Sequence, residues 1–445
     1  MRAATSSRAG IVASTCFSIA CAGTAKLAEH QATGPAPTLV PPDRALVPTI
    51  NVVTAVGWPE GATPEPADGL TVTAFASGLE HPRWIAVLPN GDVLVAETNA
   101  PPRPRDRSGV RGWLFGRAQK KAGGAVPSAN RITLLRDADG DGVAEVRSAF
   151  LTGLTSPFGM ALVGDTLYVA NTDAIVKVPY TAGATRSGST PQKVLDLPAG
   201  DRNHHWTKNV VASPDGDTLY VAIGSNSNVA EHGLAEEEGR AQLWAIELAT
   251  GVRRTYATGL RNPVGMAWVP ETGALWVAVN ERDELGPDLV PDYMTAVKEG
   301  GFYGWPFSYF GSHVDTRVSP QDPDRVARAL VPDYALGAHT ASLGLAYAPR
   351  SGLTPRFGTG MFVGQHGSWN RTPRSGYKVV FVPFVDGAPA GPPIDVLTGF
   401  VMPDGRAHGR PVGVAIDRRG GLLVADDVGN VVWRVRAANA STTND

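Results

Sequence analysis

A short unit, an apolar run, a glycine-containing turn and a second apolar run, recurs six times along this chain, and no other feature constrains its fold as tightly. The copies span residues 82–97 (PRWIAVLPNGDVLVAE), 157–171 (PFGMALVGDTLYVAN), 208–224 (KNVVASPDGDTLYVAIG), 263–280 (PVGMAWVPETGALWVAVN), a divergent 342–366, and 411–426 (PVGVAIDRRGGLLVAD). Each reads as two β-strands joined by a tight turn, because Asn90-Gly91, Asp215-Gly216 and Gly420-Gly421 supply the positive φ that hairpins need between β-branched runs. One hairpin cannot bury both of its faces. Six of them, each extended by strands from the variable stretches between, close radially into an all-β, six-bladed β-propeller without exposed sheet edges. Its predicted span is residues 70–436.

Formal net charge is -2, so no basic field recruits nucleic acid or anionic lipid, and neither is an expected partner. Arg2 and Arg8 precede an apolar, small-residue stretch over 11–22, the layout of a secretory signal peptide within residues 1–25. That stretch is too short to span a bilayer. A secreted or periplasmic protein is therefore expected, with a lipid anchor on Cys21 as the variant, against which stands Ser18 three residues before it. Both cysteines, Cys16 and Cys21, lie in this segment, so the mature chain would hold no disulfide. Residues 26–69 read as a Pro-rich linker or wrap without chemistry, and 437–445 as a tail.

In an antiparallel hairpin the start of the first strand and the end of the second share one end of the sheet, so one rim gathers both sets of residues. The opening positions give His81, Arg83, Ser156, Phe158, His204, His205, Lys208, Arg261, Asn262, His339, Thr340 and Arg410. The closing positions give Glu97, Asn171, Asp173, Ser225, Asn226, Asn228, Asn280, Glu281, His366, Asp426 and Asp427. Strand ends are polar in any sheet, so no single residue here identifies a site. Jointly they say more. Arg83, Lys208, Arg261 and Arg410 come from different blades and converge on one cavity, offset in part by Glu97, Glu281 and Asp426. The remaining charge suggests a ligand with carboxylates or phosphates, which guanidinium forks match. His205 is the candidate base, since imidazole accepts protons near neutrality. His204 competes, because neighbours on a strand point to opposite faces.

The runs 204–209 (HHWTKN), 259–263 (GLRNP), 286–288 (GPD), 300–306 (GGFYGWP), 366–371 (HGSWNR) and 409–413 (GRPVG) occur in that order. Together they resemble the glucose/sorbosone dehydrogenase family of quinoproteins, and the chain is most similar to its L-sorbosone dehydrogenase-like branch, from about Leu70 to Val435. The resemblance implies a six-bladed propeller that holds pyrroloquinoline quinone (PQQ), a tricarboxylate with an electrophilic ortho-quinone, and oxidises a sugar. It implies that His205 takes the proton from a sugar hydroxyl while hydride passes to the quinone. Arg261 and Asn262 would hold the quinone edge, and Arg410 would pair with cofactor carboxylates. The backbone carbonyls of Gly286 and Pro287 would ligate a calcium ion (Ca2+) that also binds PQQ. Electrons would leave to a cytochrome or quinone. Three positions depart from the family. Ser225 stands where an aspartate supports the base, leaving Glu97 or Asp201 as substitutes; His204 replaces an aspartate; and a lysine that approaches PQQ has no counterpart, for which His366 or Arg371 stand in.

A second metal candidate is 137–145 (DADGDGVAE), where Asp137, Asp139 and Asp141 resemble the first half of an EF-hand loop but Ser148 occupies the place of its last ligand. A solvated turn is the alternative. Phe302, Tyr303, Trp305, Phe307, Tyr309 and Phe310 serve blade packing or stack on a ligand. Residues 101–125 carry Arg103, Arg105, Arg107, Arg111, Arg117, Lys120 and Lys121 and read as a basic loop, either solvated or covering the cavity or docking an acidic electron acceptor. Two other functions fit the same fold. One is a calcium-dependent propeller lactonase or esterase with Glu97, Asn171, Asn226, Asn280 and Asp426 around an axial metal. The other is a non-catalytic carbohydrate- or protein-binding propeller.

Overall fold

The computed structural model describes residues 23–43, 49–104, 109–353 and 355–438; residues 1–22, where most of the expected signal peptide and both cysteines fall, and residues 439–445 lie outside the described residues. Six antiparallel sheets of four or more strands hold the six repeats. The repeated hairpins form the two axial strands of each blade: Pro82–Val87 with Val93–Glu97, Met160–Val163 with Thr166–Ala170, and Lys208–Ala212 with Thr218–Ile223 in blades one to three. Blades four to six follow with Pro263–Val269 and Ala274–Val279, Ser342–Ala348 and Gly360–Gln365, and Pro411–Ile416 and Leu422–Asp426. Each first strand packs on the first strand of the next blade, and that of blade six packs on that of blade one. The ring is closed, and the fold is a six-bladed β-propeller.

Closure is made by chain ends. Leu70–Ala76 is the outermost strand of blade six and pairs antiparallel with Val431–Ala437, with Val72 opposite Val435. Between blades, apolar faces interlock: Leu94, Ile132, Leu134, Leu167 and Val169 join blades one and two, each side chain contributing about 1.5–3 kcal/mol when fully buried. The glycine of the repeated motif has its reason at the axis. A Cβ on Gly344 would lie 2.1 Å from the Val412 carbonyl oxygen, and one on Gly413 2.7 Å from that of Arg83. The hairpin registers shift at the same places, between Ser342 and Gly344 and between Pro411 and Val414, so each bulge re-aims the residues that open the strand.

Residues 23–43 and 49–66 form a strap across blades four to six. Thr33–Gly34 extends blade four beside Tyr334–Ala338, Glu65–Pro66 extends blade five beside Ile394–Thr398, and Thr54–Ala55 runs parallel to Arg406–Ala407. Trp58 anchors it, packing on Phe400, His408 and Trp433 while its Nε1 donates to Asp426 at 2.7 Å. The basic insertion is not a plain loop: it contains the helix Gly109–Lys121, which Gly109, Gly112 and Gly116 hid from a propensity reading. No described helix is long and apolar enough to cross a membrane. The aromatic run packs: Tyr303, Tyr309 and Phe310 lie in the blade-four core, and Phe302 and Phe307 join Val229 beside it.

The 137–145 loop joins the third and fourth strands of blade one at the end of the disc away from the opening positions. Ligand atoms of Asp137, Asp139, Asp141 and Glu145 come within 4.8 Å of one another. Backbone N–H groups of Gly140 and Gly142 donate to Asp137, and Arg434 and Arg419 stand 3.6 and 3.7 Å from its carboxylate.

One buried carboxylate ties blade four to blade five. Asp292 accepts from Asn280 Nδ2, Glu281 N–H, Thr340 Oγ1 and Ser342 N–H, and burial without a cation pushes it up from 3.8 to about 6. Between those values the folded chain keeps a proton that the unfolded chain releases, so the contribution of this carboxyl falls as pH rises through that window. Asp292→Asn is expected to remove that slope from urea-unfolding free energies, and Asp292→Ala to cost about 3 kcal/mol by orphaning its donors.

Candidate active site

The opening residues of the blades form a ring of contacts that can be followed around the axis. Arg83 of blade one lies over the Trp206 ring at 5.8 Å, and the neighbouring His205 reaches blade three's exit. His205 and Asn262 both press on Gly224, where a Cβ would meet Asn262 Oδ1 at 2.3 Å and His205 Cβ at 2.6 Å; only glycine allows that approach. Arg261 then faces Asp283, Asp283 accepts from Asn370 at 2.9 Å, and the same loop carries His366, which bonds Asp427 at 2.9 Å. Asp427 returns to Arg83 at 2.5 Å. Blades one, three, four, five and six thus surround one pit.

His205 is fixed for proton uptake. Its Nδ1 lies 2.9 Å from the Ser225 carbonyl oxygen, which can only accept, so Nδ1 carries the proton and Nε2 the lone pair. The Ser225 hydroxyl, 3.0 Å from Nδ1, donates onward to the Ser227 carbonyl at 2.6 Å. No described donor reaches Nε2. Burial first, then the charge of Arg261, holds the ring well below the usual imidazole range, so it is neutral at neutral pH. Both histidines of the pair stand on a turn before the strand rather than on it, rings edge-to-face at 4.7 Å. The alternation argued for a strand therefore does not separate them. His204 is lowered to about 4 by burial and by Arg261. Its carbonyl accepts from Arg103 at 2.7 Å, while Gly123 at the far end of the same insertion lies against Ala55 and Val428. The two ends of the basic insertion thus lie against blade three and blade six.

Arg261 is buried, 2% exposed. It donates to Asn228 O and Oδ1, to Asn280 O and to Glu281 O; one Nη2 proton is left, and the nearest carboxylate, Asp283 Oδ2, is 3.8 Å away. Asn262 Oδ1 is buried with no partner among the described residues. Arg410 donates to the carbonyls of His366 and Gly367 at 2.9 and 3.0 Å, and its Nη1 has no described partner. The free guanidinium protons of Arg261 and Arg410 fit a polyanionic, planar ligand such as PQQ.

Asp427 and Asp283 organise the charge. Burial opposes ionisation of Asp427, yet His366, His81 and Arg83 hold it well below the carboxylate range. For Asp283, burial is likewise outweighed by His339 and Arg261, leaving it at about 2. His339 places Nδ1 3.2 Å from Asp283 Oδ1 and Nε2 2.9 Å from Gly286 O; two acceptors make both nitrogens donors and the ring a cation. Asp283 was not among the sequence-derived candidates, although it follows Asn280 and Glu281 directly after a strand exit.

Other candidates are engaged elsewhere. Lys208 is fully buried and bonds the His205 and Trp206 carbonyls at 3.3 Å, so it braces the loop under the base and does not face the pit. Glu97 is tied to Arg131 at 2.7 Å and to Thr133, and Asp426 to Trp58, Trp433 and the N–H groups of Arg410 and Gly429. Asn171, Asn226 and Asn280 also bond their own surroundings. The axial ligand set that a lactonase-type metal requires is therefore not presented, and neither Glu97 nor Asp201 takes the place of Ser225 beside His205 Nδ1.

The calcium expected on Gly286 and Pro287 also finds both oxygens taken. Gly286 O accepts from His339, and Pro287 O accepts from Arg371 Nε at 2.8 Å. A dication bound there would stand about 4 Å from a guanidinium, where like unit charges repel by about 4 kcal/mol at an effective dielectric near 20 and a dication by about twice that. The donor set does not fit calcium at these carbonyls.

A family model described as TrAA12-like matches residues 126–294 and 311–438, more than half of the chain. The chain belongs to the TrAA12-like family. A second model, Glucose / Sorbosone dehydrogenase, matches residues 245–364. The TrAA12-like chain is 25% identical over 292 residues to a protein of Borreliella burgdorferi described only as uncharacterized, covering 63% of this chain and 76% of that one. It is 22% identical over 270 residues to a pyrroloquinoline quinone-dependent sugar dehydrogenase of Hypocrea jecorina, covering 55% of this chain and 57% of the relative. Among solved structures, the holo PQQ domain of Coprinopsis cinerea pyranose dehydrogenase superposes with TM-score 0.67 at 20% identity over 86% of this chain and all of that one. A calcium structure of the Trichoderma reesei family AA12 enzyme gives TM-score 0.67 at 19% identity over 88% and 99%. These likenesses bear on the fold of the TrAA12-like chain.

Removing Asp427 would strand the buried Arg83 guanidinium without its counter-charge. Asp427→Ala is expected to destabilise the protein by about 3 kcal/mol or more in denaturant titrations at neutral pH. The loss should shrink on acidification, because a carboxyl with a depressed folded pKa stabilises only while ionised.

Proposed function

We propose that this chain is a PQQ-dependent dehydrogenase of sugars, with His205 as the proton acceptor. The observation that supports the reading best is the fixed tautomer of His205, with its Nε2 open in a pit that also holds Arg261. PQQ, when bound, supplies an electrophilic quinone that accepts hydride from the carbon bearing the hydroxyl. The chain supplies the rest. His205 Nε2 takes the hydroxyl proton of the sugar. The remaining Nη2 proton of Arg261 and the Asn262 amide orient the quinone edge, and Arg410 Nη1 with Arg83 meets cofactor carboxylates from the opposite wall. The L-sorbosone-like branch narrows the substrate to aldoses and sorbosone-type sugars, and a cytochrome or quinone outside the cell membrane receives the electrons. The 137–145 loop, at the far end of the disc, takes no part.

Purified protein titrated with PQQ is expected to show a saturable change in absorbance and to reduce an acceptor dye with some aldose; the absence of both overturns the proposal. His205→Ala should lower kcat by about 10²–10⁴-fold with PQQ binding retained. Because His205 is neutral at neutral pH, wild-type kcat/KM should fall only on acidification below the ordinary imidazole range. Arg410→Met should weaken PQQ binding about tenfold or more while leaving the fold intact by circular dichroism.

A further inference from the structure

We propose that His339 and Arg371 take the electrostatic place of a divalent ion on the Gly286–Pro287 turn, so that the pit accepts its anionic cofactor with no metal on those two carbonyls. The inference rests on the PQQ reading above and refines it.

Three observations carry it. First, both cationic side chains are held by more than the turn. Arg371 gives Nε to Pro287 O at 2.8 Å, Nη1 to Pro373 O at 3.0 Å and Nη2 to Asp288 Oδ1 at 3.3 Å. His339 spans Asp283 and Gly286 O and is 7% exposed. Neither is a mobile side chain that a metal displaces at little cost, because each gives up a partly buried ion pair if it moves.

Second, the turn is enclosed from outside by the strap. Asp43 N–H donates to Leu285 O at 3.0 Å, a Cβ on Gly286 would lie 3.1 Å from the Asp43 backbone, and one on Gly23 would lie 3.5 Å from Pro287. The Lys26 N–H also donates to Asp288 at 2.6 Å. Calcium needs about six to eight oxygen ligands in an open, flexible shell. Here the strap covers the turn from outside, and each of the two carbonyls already accepts from a cationic side chain.

Third, the charges replace the ion one for one. A guanidinium and an imidazolium together carry what a divalent cation would carry, at the same two oxygens, and Asp283 and Asp288 fix them in place. A built-in pair of this kind offsets the two carboxylates, so the turn stays neutral rather than negative toward an arriving carboxylate, without any ion to be lost.

The test compares PQQ binding by the full-length protein in a chelator and in excess calcium, read by cofactor absorbance and tryptophan quenching. Asp139→Asn with Asp141→Asn serves as background, so that ions held by the far-end loop do not enter the readout. The dissociation constants in the two buffers are expected to agree within about threefold. Arg371→Met, which bares the Pro287 carbonyl, is expected to weaken binding about tenfold in chelator and to regain much of it with calcium, whereas Arg371→Lys keeps the wild-type indifference to metal. A wild-type dissociation constant that falls about a hundredfold on adding calcium overturns this inference and leaves the PQQ reading standing. Failure to bind PQQ in either buffer removes both.

Discussion

The pairing of Leu70–Ala76 with Val431–Ala437 is the constraint on which the rest of the molecule depends. A propeller whose last sheet is not completed has two raw edges and no fixed axis. The pit exists only because five blades present their opening residues at one radius and one height. A slip of one residue in any axial strand would turn its functional side chain into the blade interior. The bulges at Ser342–Gly344 and Pro411–Val414 perform the last adjustment. They bring Thr340 to Asp292 and Arg410 to the His366 carbonyl, and they are affordable only where glycine lets neighbouring backbones touch.

Adjacent carboxylates at this rim show how partners decide charge. Asp426 and Asp427 are both fully enclosed. Asp426 meets only neutral N–H dipoles, two indoles and two amides, and burial pushes it up to about 6. Asp427 meets a guanidinium and two imidazoles and stays ionised far below its usual range. The same contrast separates Asp292 from Asp283 in blade four. Of these four, Asp427 and Asp283 are paired with cations and kept negative, whereas Asp426 and Asp292 are satisfied by dipoles and serve as struts.

Much of this was readable in the sequence, and the limits have physical causes. The six hairpins were legible because strand alternation and turn chemistry are local. His205, Arg261, Asn262 and Arg410 were legible as a set because hairpin geometry sends all strand openings to one rim. Their individual duties were not. Lys208 sits at an opening position like Arg410 but is drawn under the loop by two carbonyls, a choice set by tertiary space. Glu97 and Asp426 occupy closing positions yet turn toward Arg131 and Trp58, partners more than thirty residues away in sequence. The helix at Gly109–Lys121 and the strap were hidden for a related reason: glycine-rich and proline-rich stretches declare no pattern, and their order comes from the surfaces they lie on.

The strap also has a consequence for how the molecule is made. Thr33, Thr54, Trp58 and Glu65 leave the ribosome early, but their partners in Tyr334–Ala338, Ile394–Thr398 and Arg406–Ala407 are translated near the end. The early segment therefore waits, unpaired, through nearly the whole of synthesis, and its docking is a late event with very long loops to close. Blades one to three, whose strands are contiguous, have their partners as soon as they emerge, whereas the strap and the outermost strand of blade six become fixed only once the last blade is complete.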